Sequence, residues 1–191
     1  MRHIMIDLET WGLGAFSVIT QIGAVVFNPK APLGSAGEYA DIEHSFEVSV
    51  NPIDAQAKGL RVEAETVAWW MNPERDEPRE LWLKTIKFDL ALALDGFDMW
   101  LTEIGIPKDE RVIWGNGSDF DNVLLGQAYK VMNREVPWHY FNNRCFRTLK
   151  SLDSEGKFKP EFIGVKHTAV CDARHEAKWA CEIARQFELN I

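Results

Sequence analysis

The apolar run Ile4-Met5-Ile6 ends in Asp7-Leu8-Glu9-Thr10. Side chains alternate along a strand, so Asp7 and Glu9 share a face that Leu8 does not, and two carboxylates stand side by side at a strand end. Such a pair repels itself unless it is solvated or neutralised. A hard divalent cation neutralises it well, since Mg²⁺ takes oxygen ligands and is commonly held by one or two carboxylates together with substrate phosphate. A solvated strand end is the plainer reading of a lone Asp-x-Glu, so partners elsewhere in the chain decide between the two.

Two further segments hold groups of the right kind. In Trp114-Gly115-Asn116-Gly117-Ser118-Asp119-Phe120-Asp121 a tight turn leads into a helix, and Asp121, expected one turn inside it, can project toward the carboxyl ends of the strands. Asp119 cannot share that face and suits the helix start, where an acid caps the helix or meets its dipole. Near the C-terminus His167-Thr168-Ala169-Val170-Cys171-Asp172 runs into a long helix with Asp172 at its beginning. A helix-start Asp is commonly a cap and an isolated His a hydrogen-bonded residue; His3 and His175 take that plainer reading.

These groups need a scaffold that brings distant segments to one edge. Residues 2–9 read as a buried strand, 19–27 as a second and 42–50 as a third, ended by Asn51-Pro52, with a Gly- and Pro-containing loop through Gly37 between the last two. Three sequential strands predict an antiparallel meander. From Glu63 the spacing turns helical at Val67, Trp70 and Met71, Phe88 to Ile104 forms a longer amphipathic helix, and Arg111 to Trp114 makes a fourth strand. Between them the mixed charge run Glu74 to Glu80 reads as a solvated face. Phe120, Leu124, Ala128 and Val131 share one helical face after the Gly-Asn-Gly turn, and Ala173, Ala177, Ala180, Ala184 and Phe187 mark the apolar stripe of the last helix.

A length of 191 residues, 46% hydrophobic, suits one well-packed domain over residues 1–191. No stretch has the apolar length of a membrane span, and Met1-Arg2-His3-Ile4 runs straight into a strand rather than a signal peptide, so a soluble cytoplasmic protein without a membrane partner is expected. Cys145, Cys171 and Cys181 are odd in number and lack CxxC spacing, which predicts buried, reduced thiols rather than disulfides or a zinc site. The formal charge of −8 counts against phosphate binding through Lys and Arg. That argument weakens if four carboxylates hold two divalent cations, because the metals themselves can then meet the phosphate.

Taken together, Asp-x-Glu on the first strand, Gly-Asn-Gly-x-x-Phe-Asp on a central unit and His-x₄-Asp before the last helix resemble the DEDDh 3′→5′ exonuclease superfamily, in order and over nearly the whole chain. Trp69-Trp70 after Thr66-Val67, Trp114-Gly115-Asn116-Gly117, and Arg147-Thr148-Leu149 are similar to its phage exonuclease VIII and bacterial exoribonuclease-like branch. The resemblance implies a ribonuclease-H-like α/β fold: a mixed sheet, with an antiparallel meander of three strands plus parallel strands, flanked by helices. It also implies Asp7, Glu9, Asp121 and Asp172 as ligands of two Mg²⁺ or Mn²⁺ ions, Glu9 taking part in catalysis, and His167 as general base. The chemistry suits these residue types. Two cations about 3.5–4 Å apart hold a scissile phosphate and stabilise attacking and leaving oxygens, and a His near neutrality takes a proton better than a fifth carboxylate in an anionic site.

Substrate contacts follow less directly. Leu8, Thr10 and Trp11 resemble family positions that touch the terminal nucleotide; Trp69 or Trp70 could stack on a base, with Trp70 the expected contact beside Asn116 and Arg147. Core packing is the plainer reading for Leu8 and for one of the two tryptophans, since neighbours on a helix do not face one groove. The segment from Arg144 to Lys166 carries Arg144, Arg147, Lys150, Lys157, Lys159 and Lys166, and is either a guide for the phosphate backbone or a solvated face. The expected partner is a single-stranded RNA or DNA 3′ end, cut to nucleoside 5′-monophosphates, in a bacterial cell and from a bacterial or phage gene, with a homodimer left open. A catalytically silent nucleic-acid-binding module, or a metal-dependent phosphohydrolase of nucleotides or dinucleotides, would use the same fold.

Overall fold

The computed structural model describes residues 3–30, 41–117 and 119–191, so the loop expected through Gly37 and Ser118 of the turn lie outside the described residues. The apolar start of the chain forms β1 (His3–Thr10), which pairs antiparallel with β2 (Ile19–Phe27), and β2 pairs antiparallel with β3 (Asp41–Val50). The three-strand meander is therefore present, its third strand starting one residue before the expected Ile42. Asn51-Pro52 does end β3, but it also starts a helix. Asn51 caps α1 (Pro52–Ala57) by accepting from the Ile53 N–H, with Pro52 at the first helical position where a missing N–H costs nothing.

Next come α2 (Ala64–Trp70) and α3 (Asp76–Lys84). Most of Glu74 to Glu80 faces solvent as expected, running from a 3-10 turn (Pro73–Arg75) into the start of α3, and Pro78 is buried. A two-residue strand β4 (Lys87–Phe88) pairs with β3, and α4 (Leu90–Glu103) is the long amphipathic helix. β5 (Ile113–Gly115), α5 (Asp121–Val131), β6 (Asn143–Cys145), α6 (Phe146–Lys150) and α7 (Ala169–Gln186) complete the order. β5 lies parallel to β1 and β6 parallel to β5, giving a six-stranded mixed sheet in the order β4-β3-β2-β1-β5-β6.

Alternation along β1 sorts the two faces of this sheet. Ile4, Ile6 and Leu8 join the core under α4 and α5, with Leu94, Phe97, Leu101, Leu124 and Leu125. Met5 joins the other core, under α6 and α7, with Phe146, Ala173, Ala177 and Ala180. Asp7 and Glu9 follow Met5 by two and four residues, so they point to the α7 face. The alanine stripe packs flat on that face, except that Phe187, expected to continue it, ends the helix half-exposed. Of the three thiols only Cys181 is buried; Cys145 and Cys171 are partly exposed, and Cys145 Sγ accepts from the Thr148 N–H at the start of α6. Among the described residues no helix is long and apolar enough to cross a membrane.

Candidate active site

The carboxylates of β1 meet the last helix because the sheet lets it come close. In the register of β1 and β2, Asp7 stands opposite Gly23. A Cβ at Gly23 would lie 2.2 Å from the Ala169 carbonyl carbon and 2.3 Å from the Val170 nitrogen, so any side chain there would lift the start of α7 off the sheet. Asp172, in the first turn of α7, then descends beside Glu9, and the His167 ring reaches the same point. One ligand atom from each of Glu9, His167 and Asp172 lies within 4.8 Å of the others.

His167 is fixed by its backbone. It has φ +62°, a left-handed conformation that costs a β-carbon residue and persists where its surroundings enforce it. Here the Asp172 carboxylate enforces it, accepting the His167 N–H at 2.7 Å. The ring meets Trp69 edge-on with centroids 5.1 Å apart. Burial, then the Arg75 and Lys166 charges, lower the His167 pKa, so its ring is neutral and able to accept a proton at neutral pH.

Asp121 closes the site from the other edge. It is the first residue of α5, not one turn inside as expected, and it is buried. β5 stops at Gly115, leaving the Leu8 N–H of β1 without a strand partner; Asp121 Oδ1 accepts it at 3.1 Å while Oδ2 accepts the Asn116 N–H at 2.7 Å. Gly115 permits this approach, since a Cβ there would lie 2.8 Å from the Asp121 Cβ. Asp119, expected as the cap, is exposed, and Phe120 occupies the cap position instead.

The electrostatics are those of closely packed carboxylates. Burial holds Asp7 and Glu9 well above the usual carboxylate range, and neighbouring acids push further: Glu9, Glu176, Asp121 and Asp172 on Asp7; Asp172 and Asp121 on Glu9. Asp121 is pushed up to about 6 by burial against the pull of its backbone donors, and Asp172 likewise to about 6. Clustered oxygen donors with one imidazole are a donor set for Mg²⁺ or Mn²⁺ rather than for a soft metal. Glu176, one helical turn beyond Asp172, belongs to this cluster and was missed. The signal was there: an acid between Ala173 and Ala180 on the apolar stripe of α7.

Two cavities flank Glu9. One of about 360 Å³ is lined by Leu8, Thr10, Glu63, Thr66, Trp69 and Phe120; the other, of about 330 Å³, by Trp11, Gln21, Trp70, Arg79, Trp82 and His167. Leu8 is both core and cavity wall. The two tryptophans both line the first cavity, and Trp70 the second as well, but they differ in exposure. Trp70 is buried with Nε1 donating to the Thr10 carbonyl, whereas Trp69 is 41% exposed. Thr10 is buried, its hydroxyl donating to the Gly12 carbonyl, and Trp11 packs edge-on against Trp82. The Glu63 carboxylate accepts the Leu13 and Gly14 N–H groups and fixes the loop after β1 that shapes the first cavity. That loop anchor had no expected role.

The basic segment does not form one track. Arg147 donates to the Asn116 carbonyl beside the site, and Lys166 lines a third cavity with Arg75 and His167. Lys150 and Lys159 instead lie over the Trp179 ring, and Lys157 pairs with Glu155. Arg75, from the expected solvated run, stacks on Trp69 at 4.2 Å. His3 is the hydrogen-bonded residue expected, whereas His175 is buried with its Nδ1 unpartnered. His3 Nδ1 accepts from Trp114 Nε1, and burial lowers its pKa to about 4; His175 packs against Phe162 and Trp179.

The family model of the 3′–5′ exoribonuclease Rv2179c-like domain matches residues 2–184. Among solved structures, cell-death related nuclease 4 (CRN-4) superposes with a TM-score of 0.61 at 15% identity, over 99% of this chain and 64% of that one. The nuclease domain of 3′hExo, a DEDDh family member bound to rAMP, gives 0.58 at 15% identity over 97% and 92% of the two chains. Pop2p of S. pombe, in a form with Mg²⁺ and Mn²⁺ bound, gives 0.60 at 15% identity over 98% and 84%. At such identities the likeness is one of fold. No curated protein matches the sequence.

Proposed function

The chain belongs to the family of 3′–5′ exoribonuclease Rv2179c-like domains, and from that membership we propose that it is a two-metal-ion exonuclease that removes nucleoside 5′-monophosphates from the 3′ ends of single-stranded RNA. The observation that carries the reading is the convergence of Glu9, Asp172 and His167 ligand atoms within 4.8 Å at the strand ends, with Asp121 buried and Asp7 half-buried on the same strand end.

Asp7, Glu9, Asp121 and Asp172 would hold the cations. Bound there, divalent ions supply charge neutralisation, a lowered pKa for the attacking water and stabilisation of the leaving oxygen. His167 takes the proton from that water at a ring nitrogen, and its depressed pKa keeps it ready to do so. Asp172 orients the base through the His167 N–H. Trp69 and Leu8 form the walls between which the terminal base stacks, with Trp69 taking the part expected of Trp70. Arg147 and Asn116 set the turn above Asp121. Fold likeness to Pop2p with Mg²⁺ and Mn²⁺ bound supports the choice of cations.

The test is a Mg²⁺ and Mn²⁺ titration on 5′-labelled single-stranded RNA and DNA with Asp121→Asn as control. The expected result is a ladder shortening from the 3′ end, on RNA, that needs cation and is lost in the variant. Cleavage of dinucleotides without a ladder would favour a phosphohydrolase, and RNA binding without cleavage at any cation concentration would favour a binding module.

A further inference from the structure

Glu176 stands one turn beyond Asp172 on the face of α7 that lies against the sheet, and is 6% exposed. A buried carboxylate ordinarily has donors for its oxygens, and this fold shows how that looks. Asp153, 5% exposed, accepts from the Lys157 and Phe158 N–H groups and from Trp179 Nε1. Glu176 has no such set. The Asn116 side chain lies near enough to favour its ionised form, but its Oε2 is buried without any hydrogen-bond partner, and so is the Asn116 Oδ1. Among the described residues no ion pair joins it: the ammonium of Lys150, the cation nearest in effect, lies over the Phe146 and Trp179 rings at 5.6 and 5.3 Å.

What surrounds Glu176 is further negative charge. Its field acts on Asp7 second only to that of Glu9, and Asp121 and Asp172 act on it in turn. Two buried oxygens without donors, inside a nest of carboxylates, call for a cation or its bound water. We propose that Glu176 is a fifth carboxylate of the cation site, standing beside Asp7 and held there by the Asn116 amide. The proposal rests on the reading of Asp7, Glu9, Asp121 and Asp172 as cation ligands. It also gives Asn116 a task, holding Glu176 by its side chain while its own N–H holds Asp121. A buried neutral carboxyl that only fills space is the alternative, and Gln would replace it without consequence.

Calorimetric titration of the metal-free protein with Mn²⁺ separates these cases, run on the wild type, Glu176→Gln and Asp121→Asn, with thermal melts in EDTA alongside. The expected result is about tenfold or greater loss of Mn²⁺ affinity in Glu176→Gln, together with a higher melting temperature than wild type in EDTA, because a carboxylate crowded by others has been removed. Wild-type Mn²⁺ affinity in Glu176→Gln, alongside a weakened Asp121→Asn, overturns the role of Glu176 and leaves the cation site standing. Absence of Mn²⁺ binding by the wild type overturns both. Should Glu176→Gln not fold, Asn116→Ser removes the amide that holds Glu176, and unaltered Mn²⁺ binding there overturns the proposal equally.

Discussion

His167 combines a strained backbone, an aromatic wall and a depressed pKa, and each has a cause in a named neighbour: Asp172, Trp69, and burial with Arg75. In its proposed role as the base acting on water, His167 would contribute about 10²–10⁴-fold to rate, so His167→Ala is expected to lower kcat by that range while Mn²⁺ affinity, read by calorimetry, changes less than about tenfold. A larger loss of affinity would make His167 chiefly a ligand. The carboxylates give the pH dependence. In the metal-free protein Asp121 and Asp172 keep their protons up to about 6, above their range in the unfolded chain. Between about pH 4 and that value the folded state binds more protons than the unfolded one, so their contribution to stability falls as pH rises. Cations compete with those protons. The Mn²⁺-induced rise in melting temperature is therefore expected to be small near pH 5 and full by about pH 7.5. His3 and His175, whose lowered pKa values act in the opposite sense, enter the melts with and without cation alike and cancel in the difference. A cation effect independent of pH would remove these carboxylates from the site.

At the scale of elements, the site depends on how closely α7 lies on β2. Gly23→Ala places a methyl group against the Ala169 and Val170 backbone, which cannot give way as a flexible side chain can. Overpacking of this kind costs about 1–3 kcal/mol, and urea unfolding should show at least that loss, together with weaker Mn²⁺ binding as Asp172 is carried outward. Gly96→Ala in α4 is the control: its Cβ would lie 3.6 Å from Phe46, an ordinary contact, and helix propensity predicts a gain of about 0.5–1 kcal/mol. Equal effects at the two positions would contradict the close approach of α7. α4 and α7 were legible because burial on one face writes a period into the sequence, and β1 and β2 because burial on both faces leaves a continuous apolar run. β4 and β6, of two and three residues, are too short to carry a period and exist only through the strands they pair with. α1 was hidden behind a Pro that reads equally as a strand stop and a helix start.

At the scale of the whole molecule, 29 acidic residues against 21 Lys and Arg leave the chain acidic, so the proposed phosphate-bearing substrate must be met locally. Arg75, Arg147 and Lys166 stand beside the site, and Arg79, which lines the cavity with Trp70 and His167, is already paired with Asp76. Single-strand binding loses about 0.7 in log affinity per log unit of salt for each phosphate neutralised, so a slope of about −2 is expected with Mg²⁺ present, in filter binding by the Asp121→Asn variant. A slope steeper than about −5 would mean a basic track the fold does not display. The sequence by itself determined the meander and the last helix, because local alternation and spacing are properties of the chain, and it offered Asp7, Glu9, Asp121, His167 and Asp172 as candidates through the resemblance of its three motifs to the DEDDh superfamily. Only the tertiary structure decided which tryptophan is exposed, that Lys150 and Lys159 belong to a core ring rather than to a phosphate path, and that Glu176 lies among the carboxylates of β1 and α5. Those facts depend on which elements are neighbours across the sheet, and the spacing of residues along Asp7-Leu8-Glu9-Thr10 or along α7 carries no record of that.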